Sequence, residues 1–312
     1  MAGSSPVRRT QRGAAIVTAL LVVMLAATVV AGLFVRENVT VRAVENRLAL
    51  AQTRWIERAA LDWAKVILRA DARSSVVDHL GETWAVPVAD TRLDETVAAG
   101  AKLSDTARSA MLAGQILDAQ ARFNVNSLVQ GGQPSQAHLL AYRKLLSLLG
   151  LPESLADNTL ARVQRGQPRT VDGVATPATE LPLLRLADLL SVPGYEMEAI
   201  DRLGPFVTVL PRPTLVNLNT APAEVLTAVV PNLDLTGARR FVAKRERTFF
   251  RELGEAAAQI DGQPVLSPGL LSVGSSYFVV RGMVRFDRVE ASTETLLERS
   301  ADRVEIIWQQ RY

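Results

Sequence analysis

Cysteine is absent from this chain of 312 residues, which excludes thiol catalysis, zinc–thiolate centres and disulfides. Disulfides are permitted outside the cytoplasm but not required there, so their absence leaves the compartment open. Imidazoles are scarce, with only His79 and His138 present. No G-x-S-x-G elbow, Walker loop or H-E-x-x-H pair occurs. His79 stands near Asp78 and Glu82, a grouping that reads as a hydrogen-bonded surface histidine rather than a base. No catalytic residue emerges, and the chain is expected not to be an enzyme.

A basic surface is missing as well. The formal charge is +3, but Arg8, Arg9 and Arg12 all stand in the first 13 residues, and the remainder carries 32 basic against 32 acidic side chains. That balance argues against a nucleic-acid partner. With 48% hydrophobic and 21% charged residues, the bulk of the chain reads as globular.

What is present is one long apolar run. Residues 14–35 carry no charge, and as a helix they would span about 33 Å, the thickness of a bilayer's hydrocarbon core. Arginines on the N-terminal side predict that this end stays cytoplasmic and the rest lies beyond the inner membrane. A cleaved secretory signal would have a shorter core, and the helical period here continues to about residue 70. Leu48, Trp55, Ala59, Trp63 and Val66 recur at the three, four and seven spacings of one helix face.

Beyond that helix, Gly81, Trp84, Val86 and Val88 suggest a loop into a short strand. Residues 111–117 and then Phe123, Val125 and Leu128 suggest two strands about a turn. Helical patterns fill residues 133–255, broken by Pro152, Pro193-Gly194 and Pro231. Strand texture returns with Phe278, Val280, Val284 and Phe286, and again with Val304, Ile306 and Trp308. The expected class is α+β: a long N-terminal helix on an antiparallel sheet, interrupted by a large all-helical insert. Boundaries are expected at 1–13 for a basic leader, 14–70 for the long helix, 71–130 for the first part of the α/β body, 131–260 for the insert and 261–312 for the closing strands.

Two segments, FNVNSL (123–128) and VNLNTA (216–221), share an apolar-Asn-apolar-Asn pattern. Asn126 or Ser127, and Asn219 or Thr220, read as local turn and cap residues. Residues 214–255 resemble helix-hairpin-helix modules of competence-type DNA receptors. Asn232, Leu233 and Asp234 stand where the hairpin glycines are needed, and Asp234 would repel a phosphate. Arg239, Arg240, Lys244, Arg245 and Arg247 form a basic helix face that Glu246 and Glu252 partly offset. A DNA-binding pilus or competence component is therefore the alternative reading.

Arg12-Gly13 before the apolar run resembles the class III signal of type IV pilins and pseudopilins. That likeness implies cleavage after Gly13 by a prepilin peptidase and a methylated N-terminus at Ala14. Such proteins usually carry glutamate at mature position five, where this chain has Thr18. A subunit with nothing ahead of it needs no such glutamate, which points to the tip of a filament.

Together with GETWAVP (81–87), DAQARFNVNSL (118–128), VNLNTAPAEVL (216–226) and YFVVRG (277–282), the leader resembles the type II secretion system protein K family. The resemblance implies a pilin-like fold and an inner-membrane minor pseudopilin. Its implied partners are pseudopilins I and J, with H as a further one, and the major pseudopilin filament. It would cap the pseudopilus tip in the export of folded proteins, with no nucleic acid involved. The resemblance also raises calcium, for which Asp261, Asp287, Glu290, Glu294 and Glu298 are the candidate ligands, without the spacing of an EF-hand.

Overall fold

The computed structural model describes residues 12–92, 110–171, 174–286 and 289–312. Helix α1 (Arg12–Ser74) runs for 63 residues, about 95 Å, uninterrupted by proline. Residues 14–48 are exposed throughout, and packing begins at Ala49. From there α1 lies on a five-stranded antiparallel sheet of β1 (Val88–Arg92), β2 (Met111–Asp118), β3 (Tyr277–Phe286), β4 (Val289–Arg299) and β5 (Val304–Arg311). The strands follow one another in space in chain order, each antiparallel to its neighbour.

The stripe that α1 turns to the sheet is Ala49, Ile56, Leu61, Ala64 and Leu68. Leu61, Ala64 and Leu68 meet Trp84, Ile116, Phe278 and Leu297, while Ala49 and Ile56 meet Leu112, Val284 and Phe286. The face marked in sequence by Leu48, Trp55, Ala59, Trp63 and Val66 is the outward one, with Trp55 72% exposed. Both stripes have helical period, and the one with alanines and Thr53 lets the helix axis sit close to the sheet.

Phe278, Val284 and Phe286 share the α1 side of β3, as their alternation predicts. On β5 the alternation breaks. Leu296 pairs with Trp308 but Leu297 pairs with Ile306, so one residue bulges between them. Val304 consequently faces α1, whereas Trp308 packs on the other side with Tyr277 and Leu296.

The β2–β3 hairpin is opened by a helical insert containing α2 (Gln136–Leu148), α3 (Leu155–Arg165), α4 (Met197–Leu203), α5 (Ala223–Val229), α6 (Leu235–Arg245) and α7 (Leu253–Ala257). One apolar cluster holds it together, from Phe123 to Leu271, so it extends beyond residues 131–260 at both ends. The second strand expected after the turn shrinks to Phe123–Asn124. This pairs in parallel with Val207–Thr208 inside the insert, not with the sheet. Gly194 turns at φ +91°, and a Cβ there would stand 2.9 Å from Leu155 Cδ2.

A chain ending at Tyr277 loses β4, β5 and nearly all of β3, hence the partner of β2 and the cover of α1. The expected outcome is collapse of the sheet with the insert surviving. Limited proteolysis should leave a resistant core bounded near Phe123 and Leu271, and loss of that core as well would contradict a self-contained insert.

Within the insert, His138 is buried and stacks obliquely on Phe123. Its Nδ1 meets Ser135 Oγ at 2.8 Å and the Gln130 amide at 3.3 Å. Burial pushes its pKa down to about 4. The folded imidazole thus stays neutral where the unfolded one takes a proton, so its contribution is full above pH 6.5 and lost as pH falls toward 4. Asp78, raised to about 6 by burial, works in reverse, favouring the fold below pH 3.8 and losing that contribution as pH rises through 6. The two offset each other in the parent chain. Urea unfolding should therefore show the stability of His138→Gln relative to the parent rising by about 2 kcal/mol from pH 7 to 4.5. A difference between the two chains that does not change with pH would rule out this origin.

Candidate functional site

The insert meets the body at a buried polar joint beyond the C-terminal end of α1. Strand β2 ends on Asp118, whose Oδ2 accepts from Thr220 Oγ1 (2.6 Å), Ser275 Oγ (2.7 Å) and Asn217 Nδ2 (2.9 Å). Its Oδ1 accepts from the Gln120 amide at 2.8 Å. Burial raises the pKa of this carboxyl, and the four donors oppose that rise. Gln120 ties the two ends of the insert, donating to the Leu215 carbonyl (3.0 Å) and accepting from the Ser276 amide (2.7 Å).

Beside it, Asp78 follows α1 and accepts from the Ser275 amide (2.7 Å) and from Arg299 at the end of β4 (2.6 and 2.7 Å). Arg299 also reaches Asp71 on α1 at 2.6 Å. The backbones approach so closely here that a Cβ on Gly274 would lie 2.4 Å from the Val76 carbonyl oxygen. Asp71, Asp78 and Glu82 each bring one oxygen within 4.8 Å of the others, a buried acidic cluster whose spacing could hold a metal ion.

The asparagine motifs serve this architecture. Asn124 and Asn217 each accept from the amide two residues on, the local turn expected of the motif, but at its first asparagine. The others bond far along the chain: Asn126 to the Leu210 carbonyl (2.8 Å), Ser127 to Thr214 (2.9 Å) and Asn219 to both backbone groups of Phe250 (2.8 and 2.9 Å). Thr220 reaches Asp118. The polar character of these residues was visible in sequence; their partners, 31 to 102 residues away, were not.

In the hairpin-like segment, Asn232 takes the left-handed conformation at φ +57°. Asp234 caps α6 through the Gly237 amide at 2.6 Å, occupying the helix start where a phosphate would bind. Arg240 pairs with Asp261 (2.7 Å), Lys244 donates to the Gln259 carbonyl (2.9 Å), and buried Arg245 donates to the Leu218 carbonyl (2.6 Å). Much of the basic face thus braces the insert itself.

Of the acidic residues singled out in sequence, Asp287 lies outside the described residues. Glu290, Glu294 and Glu298 stand four apart along β4, about 13 Å between neighbours. Each meets an arginine: Glu290 with Arg285 (3.3 Å), Glu294 with Arg281 (3.1 Å) and Glu298 with Arg212 (3.0 Å). Asp261 is on the insert with Arg240. The described residues of this set are not drawn together. Thr18 bonds back to the Ala14 and Ala15 carbonyls, both at 3.0 Å.

The other candidate surface is the outer stripe of α1. It continues past the apolar run through Val41, Val44, Leu48, Trp55 and Trp63, all exposed. Among the described residues, one helix is long and apolar enough to cross a membrane, with mean hydropathy 2.7 over its most apolar window, consistent with a membrane anchor or a signal sequence.

A helix of this length laid on a meander sheet, with one hairpin expanded into a helical domain, defines a pilin-like subunit built for assembly. Family models described as "Type II secretion system (T2SS), protein K" match residues 121–212 and 216–280, together half of the chain. The protein belongs to the type II secretion system protein K family of minor pseudopilins, whose members are assembly components and not enzymes. It is 29% identical to type II secretion system protein K of Pseudomonas aeruginosa, covering 93% of this chain and 89% of that one. The Pectobacterium carotovorum protein of the same name is 26% identical over 97% of both. The fold is similar to a chain of the GspK–GspI–GspJ complex from enterotoxigenic Escherichia coli, with TM-score 0.66 and 20% identity over 86% of this chain and 99% of that chain.

Proposed function

We propose that this chain joins the I and J pseudopilins at the tip of the type II secretion pseudopilus and caps the filament. The carrying observation is the pairing of an apolar α1 stripe, open to neighbours along its length, with an insert fixed at the end of α1 farthest from the apolar run. Neighbouring helices can pack along the stripe, while the insert stands where a further subunit would stack. Thr18, satisfied within its own helix, asks nothing of a subunit ahead. A chain of the solved GspK–GspI–GspJ complex shares this architecture, which supports the choice of partners.

In the same reading Gly13 ends the leader and Ala14 begins the mature chain. Residues 14–35 span the inner membrane with the N-terminus cytoplasmic, and the body is periplasmic.

The test is co-purification of the full chain in detergent with the I and J pseudopilins of the same cell, followed by sedimentation. A discrete equimolar complex is expected, as is a methylated Ala14 N-terminus by mass spectrometry. A chain that stays apart from both partners, yet retards labelled DNA at physiological salt, would return the DNA-binding alternative.

A further inference from the structure

Arg299 points its guanidinium into the joint, and every hydrogen bond that side chain makes ends on oxygen: Asp71 Oδ2, both oxygens of Asp78 and the Ser275 carbonyl, at 2.6–2.8 Å. Glu82 adds a third carboxylate within reach of the other two. Carboxylates plus a main-chain carbonyl are the donor set that a hard divalent ion such as calcium takes. Here, however, the cation is covalently part of the chain. The buried Phe278 ring lies 4.5 Å from the guanidinium carbon; an aromatic face gives a metal no ligand but stabilises a flat organic cation. The cage fits arginine more fully than it fits an ion.

We propose that the Arg299 guanidinium occupies the seat of a divalent cation, so that the joint between α1, the sheet and the insert closes without metal. Removing that side chain uncovers a calcium site. The arrangement differs from a surface ion pair in what it connects: Asp71 belongs to α1, Asp78 to the loop after it, Ser275 to the return from the insert and Arg299 to β4. A bound ion would make the joint depend on the calcium around the protein, whereas a tethered guanidinium makes it constitutive.

Terbium luminescence excited through tryptophan reads the cage directly, because Trp84 Nε1 donates to Glu82 Oε2 at 2.7 Å. The full-length protein in detergent is titrated with terbium, and emission is taken as the difference between each chain and its Asp78→Asn counterpart. The parent should give no saturable difference, and its melting temperature should not depend on Asp78 for any calcium response. Arg299→Ala should melt several degrees lower in EDTA, recover in millimolar calcium and show saturable emission that calcium displaces. Saturable emission from the parent that Asp78→Asn abolishes would overturn the proposal. So would an Arg299→Ala chain that binds no terbium, or one that stays unfolded with calcium as without it.

Discussion

A Trp55→Glu, Trp63→Glu chain should keep the parent's melting temperature to within about 2 °C while its affinity for the partner pseudopilins falls at least about 100-fold. Trp55 is 72% and Trp63 49% exposed, so neither supplies much of the protein's own core. Large aromatic side chains left in water along an assembly helix are the residues from which an interface draws most of its binding energy. Two charges placed there would have to be desolvated on docking. Trp55→Phe, Trp63→Phe should restore most of the affinity. Detergent-phase sedimentation against the I and J pseudopilins measures both, and unchanged affinity in the glutamate variant would place the contact on another face.

The second large effect concerns stability. Asp118→Ala takes one shared acceptor from the hydroxyls of Thr220 and Ser275, the Asn217 amide and the Gln120 N–H, leaving Asn217 only the Asp78 carbonyl and Ser275 Oγ, and Thr220 only the longer contact to the Asn217 carbonyl. The expected cost is about 4 kcal/mol, or roughly 10 °C in melting temperature. Asp118→Asn should cost less, because one oxygen still accepts while its NH2 meets a donor. Thr220→Val removes a single bond and should cost about 1 kcal/mol. Differential scanning calorimetry resolves these steps, and an Asp118→Ala variant within 1 kcal/mol of the parent would mean that the carboxylate does not hold the joint.

The long helix, the alternating strands and the helical insert could be read from the sequence because each is a local periodic pattern. The facing of α1 could not, since the residues at Leu48, Trp55 and Trp63 and those at Ile56, Leu61 and Leu68 repeat with one period. Only the sheet's shape decides which stripe it admits, and it admits the smaller side chains. The β5 bulge likewise defeats alternation, because one extra residue exchanges the faces of Val304 and Trp308. The joint was invisible for another reason. Asp71, Asp78, Asp118, Asn217, Ser275 and Arg299 come from six separated stretches, and nothing local marks any of them as partners. By contrast, the acidic residues near the C-terminal strands stand close together in sequence, while strand spacing keeps those on β4 apart.

The opened β2–β3 hairpin also favours one order of folding, by entropy. Leu112 must find Val284 and Ile116 must find Val280 across more than 160 residues. Closing a flexible loop of that length would cost roughly 3 kcal/mol more than closing a four-residue turn. If the insert forms first, Gln120 and Ser276 are already bonded to one another, and the strands are delivered side by side at almost no further loss of entropy. The insert is thus a folding clamp whose completion licenses the central pair of the sheet. As the chain is made from its N-terminus, α1 and β2 wait with apolar faces uncovered until the final three strands arrive. That interval is when the subunit is most exposed to aggregation and to proteases, so slow steps within the insert should lower the yield of the whole protein even where the finished fold is unharmed.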